Sequence, residues 1–280
     1  MPAQERPLHQ NAGLQPQRNR QRSQYQTLIT FHRSLGWSFA KLRLLSRLGL
    51  EQPCLLCLAP SDHADLPICK DCSRDLPWAG VTCRLCGLPI SAAFHPDCPC
   101  EAEPPSFQGI VSPFIYAYPV DQLIKRFKEH GDLAAGKLVS LLLAEHLRSE
   151  PLKIDRLIPI PIHPFKRLKR GFNQCDLICK DLSQALDIPW SRRHLRSQRL
   201  TPSLKTLRAS ERGDAIAESF KFQGHVKGLR IGLVDDIVTT TATVREASNL
   251  LKRAGAYSVT VFCLARATRH PPFQWVNLEP

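Results

Sequence analysis

No run in this 280-residue sequence approaches the roughly 18 to 20 uninterrupted apolar residues of a membrane span, so no spanning helix is expected. The N-terminal stretch MPAQERPLHQNAGLQPQRNRQRSQYQ lacks the apolar middle of an export signal, and a cytoplasmic location is the expectation. Acids are scarce where bases are dense. Residues 1–50 hold eight Lys/Arg against one acid, and residues 151–212 hold fourteen against five. Those stretches carry +16 of a net +13, which leaves −3 for everything else. Such asymmetry suits a polyanion, pyrophosphate or nucleic acid, although a solvated basic surface has the same composition. Without an export signal, the eleven cysteines point to metal or catalysis rather than to disulfides.

What is present divides along the chain. The 43% apolar content suffices for a core, and the length fits one large domain or two smaller ones. Residues 1–30 are rich in Gln, Arg and Pro and read as a disordered basic extension. Residues 31–50 place Leu35, Phe39, Leu42, Leu45 and Leu48 at helical spacing, with Lys41, Arg43 and Arg47 between them. This predicts a short amphipathic helix that packs on the next module. Residues 51–103 form a cysteine module, and Pro104-Pro105 marks a turn or linker. Beyond it, over 107–270, the pattern is α/β. Strands are expected at Ile110–Tyr118, Asp155–Ile160, Leu229–Asp235 and Ser258–Ala265. Helices are expected at Val120–Glu129, Leu133–Leu147, Asn173–Leu186 and Ala242–Lys252, with a basic, Ser/Thr-containing stretch at Arg192–Arg212. The last strand–helix–strand unit implies parallel strands.

Within the cysteine module, Cys54-x2-Cys57, Cys69-x2-Cys72 and Cys83-x2-Cys86 recur, and Cys98-x-Cys100 closes the set. Two thiolates two residues apart can point into one tetrahedral site, and two such knuckles complete a four-cysteine zinc site. Eight cysteines therefore suggest two Zn2+, one on Cys54, Cys57, Cys69 and Cys72 and one on Cys83, Cys86, Cys98 and Cys100. An interleaved pairing stays open, as does replacement of a ligand in the tighter last pair by His63 or His95. Four-thiolate sites are closed, so this zinc is structural, and a segment with so little core unfolds without it. Cys175, Cys179 and Cys263 fall in helix and strand patterns and read as core residues.

The run LRIGLVDDIVTTTATVRE, Leu229 to Glu246, carries the most chemistry. A buried β-branched strand ends in Asp235 and Asp236, passes through Thr239, Thr240, Thr241 and Thr243, and becomes a helix. The helix start offers unpaired N–H groups and a positive dipole end to a phosphate. Threonine hydroxyls add donors, and the carboxylates can accept from ribose hydroxyls. Acids followed by threonines are also ordinary helix-capping chemistry. A second segment, Ile160–Gln174 (IPIHPFKRLKRGFNQ), opens after a strand into a loop with Lys166, Arg167, Lys169 and Arg170. Its bases and backbone amides could grip a pyrophosphate.

VDDIVTTTATV resembles the phosphoribosyl diphosphate (PRPP) loop of type I phosphoribosyltransferases, with Thr241 where that family has glycine. The order of cysteine pairs, Phe127–Glu129 (FKE), the Ile160–Gln174 block and this loop together resemble the ComF family, including its GntX branch, over residues 51–268. The resemblance implies a double zinc ribbon ahead of a type I phosphoribosyltransferase domain, a parallel sheet with helices on both faces, in a protein of DNA uptake or utilisation. It implies PRPP and Mg2+ as ligands, with Thr239, Thr240, Thr241, Ala242 and Thr243 around the 5′-phosphate and Asp235 and Asp236 on the ribose. Ile160, Pro161, Ile162 and His163, with Lys128 and Arg170 nearby, would hold the pyrophosphate. Arg170 to Gln174 match the family's RGFNQ. In the flexible hood the chain keeps Thr201, Leu207, Arg212 and Phe220 but has Leu204 for Gln and Ala215 for Asn. With Thr241, these departures raise the alternative of a degenerate transferase fold that binds single-stranded DNA or a DNA-uptake helicase.

Overall fold

The computed structural model describes residues 52–63, 66–90, 104–151, 153–198 and 219–268. The expected extension at 1–30, the helix at 31–50, Cys98, Cys100, His95, and the hood positions Thr201, Leu204, Leu207, Arg212 and Ala215 lie outside them. The chain forms two compact units that divide between Ser73 and Arg74.

In the first unit, Cys54 to Cys57 make a tight knuckle. Leu58 takes a left-handed conformation (φ 67°) and donates its N–H to the Cys54 carbonyl at 3.0 Å. Cys54 N–H returns to Ala59 O at 2.8 Å, and Pro53 and Pro60 bridge antiparallel. Leu55 N–H donates to Pro67 O, which ties this knuckle to the chain approaching Cys69. A short helix, α1 (Lys70–Arg74), carries Cys72.

The second unit opens with a copy of that knuckle, each residue 29 positions downstream of its counterpart. Gly87 (φ 67°) donates to Cys83 O at 2.9 Å, Cys83 N–H donates to Leu88 O, and Thr82 bridges Pro89. Glycine stands where the first knuckle strains a leucine, and it has a second reason to: a Cβ there would press within 3.0 Å of Ile110.

The sheet follows. Strands β1 (Gly109–Val111), β2 (Phe114–Ile115), β3 (Arg156–Pro159), β6 (Arg230–Val238) and β7 (Ser258–Arg266) are all parallel, in the order β1-β7-β6-β3, with β2 also on β7. All nine residues of β7 are buried, as a strand covered on both faces requires. The expected strand at Ile110–Tyr118 is two pieces because Pro113, which has no N–H to give the ladder, falls between them. Beside the sheet, β4 (Leu195–Ser197) pairs antiparallel with β5 (Phe220–Phe222) at the two ends of the hood segment.

Helix α2 (Val120–His130) buries Val120, Leu123, Ile124 and Phe127, a 3.6-residue stripe, and stops at left-handed Gly131. Helix α3 (Leu133–Arg148) begins at Asp132, whose carboxylate accepts from Ala135 N–H at 3.0 Å. The basic stretch expected as a loop is instead a helix, α4 (Pro164–Arg170). His163 caps it, Pro164 supplies the preset first turn, and Gly171 (φ 85°) ends it. Helix α5 (Gln174–Leu186) starts one residue later than expected, because Asn173 is its cap. Helix α6 (Ala242–Arg253) follows β6 directly. Among the described residues no helix is long and apolar enough to cross a membrane.

The register of β3 on β6 pairs Arg156 with Ile231 and Pro159 with Val234. Ile160 N–H closes this ladder on Val234 O at 2.8 Å, while β6 continues on β7 past the expected stop at Asp235 as far as Val238. This brings the segment after β3 beside Asp235 and Asp236, which lie within β6.

Candidate functional site

Backbone at the end of β6 is tightly held before any ligand is considered. Asp236 N–H donates to Asp235 Oδ1 and Ile237 N–H to Asp236 Oδ1, both at 2.9 Å. The other Asp236 oxygen is shared. Lys128 of α2 sits 2.8 Å from it, and Gln174 Nε2 donates to it at 3.0 Å. Arg170 in turn donates to Gln174 Oε1 at 2.5 Å. Lys128, Arg170 and Asp236, far apart in sequence, thus join one network through a glutamine that sequence reasoning noticed only as part of a motif.

The surrounding residues explain that motif. Gly171 ends α4, and Phe172 stacks on Phe127 with ring centroids 5.6 Å apart. That contact fixes α5 against the helix that bears Lys128. Asn173 accepts from Cys175 N–H and donates to Ile160 O at 3.1 Å. Gln174 is then delivered, buried, to Asp236. Cys175 comes with it and points its thiol at Asp235 Oδ1, 3.6 Å away. The core role expected for Cys175, Cys179 and Cys263 holds, since all three are buried, but Cys175 also faces an acid.

These contacts divide the two carboxyls. Burial, with Asp236 beside it, pushes Asp235 up to about 7. Burial acts on Asp236 in the same direction, but the Lys128 ammonium outweighs it and holds Asp236 below the ordinary carboxylate range. Lys128 is pulled toward neutrality by burial and kept protonated, above its usual value, by Asp236 and Asp235. Burial, with the Asp235 and Asp236 charges beside it, drives the Cys175 thiol well up, so it stays protonated.

Past the acids the chain opens into a cleft with about 200 Å³ of empty space, lined by Asp235, Ile237 and residues 238–244. Thr239 and Thr240 are exposed there, and Thr241, Ala242 and Thr243 half-buried. Thr241 has φ 63° and ψ −10°, the left-handed region, at the position before α6. The loop takes a backbone path that ordinarily favours glycine, with a β-branched side chain in it, at a cost of about 1–2 kcal/mol. One turn on, Arg245 donates through Nε to Thr241 Oγ1 at 3.2 Å, which sets a cation at the loop's rim.

The segment after β3 contributes unevenly. Ile160 spends its N–H on Val234 and its carbonyl on Asn173, and Pro161 has no N–H. His163 accepts from Phe165 N–H through Nδ1. Lys166, Lys169 and Arg167 lie on α4, none of whose residues is buried, and Arg167 is 3.8 Å from Asp176.

In the first unit, the sulfurs of Cys54, Cys57, Cys69 and Cys72 all lie within 4.8 Å of one another, and Leu56 N–H points at Cys54 Sγ from 3.4 Å. Four clustered thiols with a backbone donor suit a tetrahedral, thiolate-held metal, and His63 is not needed to complete the set. Of the second set, Cys83 and Cys86 are described and adopt the same knuckle. Cys175, Asp235 and Asp236 also cluster, but the Lys128 ammonium already occupies the Asp236 oxygen a cation would want.

The parallel sheet, the paired acids within β6 and the hydroxyl-rich turn into α6 define the class: a phosphoribosyltransferase-like α/β fold, preceded by a cysteine module that can hold a metal ion. The chain belongs to the family of DNA utilization protein YhgH and competence protein F. It is 36% identical to DNA utilization protein YhgH of Salmonella typhimurium over 222 residues, covering 76% of this chain and 96% of that one. It is 29% identical to competence protein F of Haemophilus influenzae over the same shares of each chain. No protein-family model matches the chain. Among solved structures, purine phosphoribosyltransferase from Pyrococcus horikoshii is 21% identical, covering 49% of this chain and 78% of that one at a TM-score of 0.31.

Substitutions at two positions test the site's energetics. Thr241→Gly relieves the left-handed strain and, after glycine's greater unfolded-state entropy, raises unfolding free energy by about 0.5–1 kcal/mol; Thr241→Ala, which keeps a Cβ, gives no such gain. Urea denaturation distinguishes them. Asp235 binds its proton more tightly folded (about 7) than unfolded (3.8), so that contribution is complete below about pH 4 and is lost as pH rises toward 7. The melting temperature of Asp235→Asn, measured against wild type, therefore gains more at pH 8 than at pH 5.

Proposed function

We propose that this chain binds PRPP with Mg2+ at the carboxyl end of β6, in a protein that serves DNA utilisation as its relatives' names describe. One observation carries the reading. Asp235, a run of threonines and the N-terminus of α6 line a single open cleft at the end of a parallel strand, where open α/β sheets take their ligands, with Asp236 next to Asp235 in the chain. In this reading Thr239, Thr240 and Thr243, with the Thr241 and Ala242 amides, hold the 5′-phosphate. Asp235 and Asp236 accept from the ribose hydroxyls. Lys128 already touches Asp236 and reaches from it toward the pyrophosphate, as Arg170 does through Gln174. Since the Ile160 amide is committed to the sheet and Pro161 has none, Ile162 and His163 supply the backbone donors of that segment. Bound Mg2+ would neutralise the leaving pyrophosphate. Any transfer would break the anomeric C–O bond, with the protein contributing position and electrostatic support to an oxocarbenium-like centre. Titration calorimetry of wild type with PRPP and Mg2+ gives one site per chain, and Asp235→Asn/Asp236→Asn abolishes the heat. Absence of heat with wild type would remove the reading.

The same proposal assigns Zn2+ to the two cysteine sets. The sulfur cluster around Cys54 supports it, as does the repetition of that knuckle at Cys83. Metal analysis should return two zincs per chain, falling to one in Cys54→Ser/Cys57→Ser. Well under two in wild type rejects the pairing.

A second reading, a module that binds single-stranded DNA or a helicase, draws support from α4. Phe165 (61% exposed) and Leu168 (83%) stand open among Lys166, Arg167, Lys169 and Arg170. Bases interleaved with an exposed aromatic suit a single strand. Fluorescence anisotropy with a single-stranded oligonucleotide should then show affinity that falls steeply with salt, and Lys166→Ala/Lys169→Ala should flatten that slope by about one to two units. A salt-independent response contradicts it.

A further inference from the structure

Arg266 ends β7, a strand whose other residues carry no charge, and it is only 4% exposed. A buried guanidinium is costly unless its donors are met. Here they are met by backbone carbonyls from two places. Nε donates to Cys86 O at 2.7 Å, inside the second cysteine knuckle. One terminal nitrogen donates to Val238 O at 2.7 Å, to Thr239 O at 2.6 Å and to Ala267 O at 2.9 Å. Val238 and Thr239 are the residues at which β6 becomes the threonine loop. One rigid, planar group therefore spans the gap between the knuckle and the loop.

The knuckle is seated on the sheet independently of Arg266. A Cβ on Gly109 would collide with the Arg84 carbonyl, and one on Gly87 would press on Ile110 at 3.0 Å. Both contacts place the backbone between Cys83 and Cys86 directly on β1. Since β1 pairs with β7 from Gly109–Thr260 to Val111–Phe262, the knuckle rests on the strand next to the one that carries Arg266. The Cys86 carbonyl is thus fixed at one end by the knuckle's own turn and at the other by the guanidinium.

We propose that Arg266 is a positioning residue, a strut that registers the threonine loop against the second cysteine knuckle and so sets the loop's order and its affinity for a phosphate. The affinity half of this statement rests on the PRPP reading of the loop; the ordering half does not. The guanidinium suits the role because its donors sit in a fixed fork, whereas an ammonium at that position can follow only one set of carbonyls at a time. Without the guanidinium the Cys86 carbonyl and the loop would no longer share a donor. The Val238 and Thr239 carbonyls would then lose their shared donor, with Thr241 one step away already strained (φ 63°) and ready to relax.

Hydrogen exchange on the full-length protein tests this without any ligand. The loop peptide spanning 238–244 is followed in wild type, Arg266→Met and Arg266→Lys. The β6 interior at 231–234 serves as the reference. Arg266→Met should speed loop exchange by about tenfold relative to that reference, with Arg266→Lys in between. PRPP affinity with Mg2+ should weaken in the same order. A loop no more affected than the reference strand in Arg266→Met overturns the proposal. If Arg266→Met fails to fold, Arg266→Lys decides the matter: loop exchange equal to wild type rejects the strut. If wild type binds no PRPP, the proposed function fails, while the exchange pattern still accepts or rejects the strut.

Discussion

Two adjacent carboxylates in the second half of β6 are the constraint around which the second unit is arranged. Side by side in a poorly solvated place, both cannot be charged without a nearby cation. Lys128 supplies it, 2.8 Å from Asp236, and so the helix that carries it must lie against the end of the sheet. The Phe127–Phe172 stack and the close fit of Phe127 over Gly136 hold that helix in place. Gln174, brought by the Asn173 cap, takes the remaining direction around the same oxygen. The outcome is one ionised acid, one acid that titrates near 7, and a lysine kept charged. Ligand chemistry at this point starts from a network already satisfied, in which a ribose or pyrophosphate would exchange partners with Lys128 and Gln174 rather than fill an empty socket.

Much of this was legible in the sequence because it is local. The β-branched run before Asp235, the stripe of α2 and the glycine-and-asparagine punctuation at 171–173 each encode their element within a few residues. At Thr241 the sequence shows only a residue standing where the resembled family has glycine; its left-handed backbone (φ 63°) is seen in the structure alone. What escaped notice is tertiary. Nothing near Gln174 in the chain announces that it will meet Asp236, sixty-two positions away. Cys175 read correctly as a core residue, yet its contact with Asp235 depends on the register of β3 on β6. The helix at Pro164–Arg170 was read as loop because its charge pattern has no buried face, although the His-Pro start and the glycine stop were both visible. Arg266 left one clue, a single charge closing an otherwise apolar strand.

The cysteine knuckles show how one turn is built with two residues. Leu58 and Gly87 occupy equivalent left-handed positions, and only the second is pressed against a strand that would not tolerate a side chain. The first can carry leucine because what matters there is the hydrogen bond back to Cys54, not close approach.

The Lys128–Asp236 pair organises the site, and a double-mutant cycle on stability measures how strongly. Lys128→Met alone should cost about 3–5 kcal/mol, because it strands a buried carboxylate, while Lys128→Met/Asp236→Asn should recover much of that loss, giving a coupling energy of about 2–3 kcal/mol. Additive effects, with a coupling energy near zero, would contradict the account.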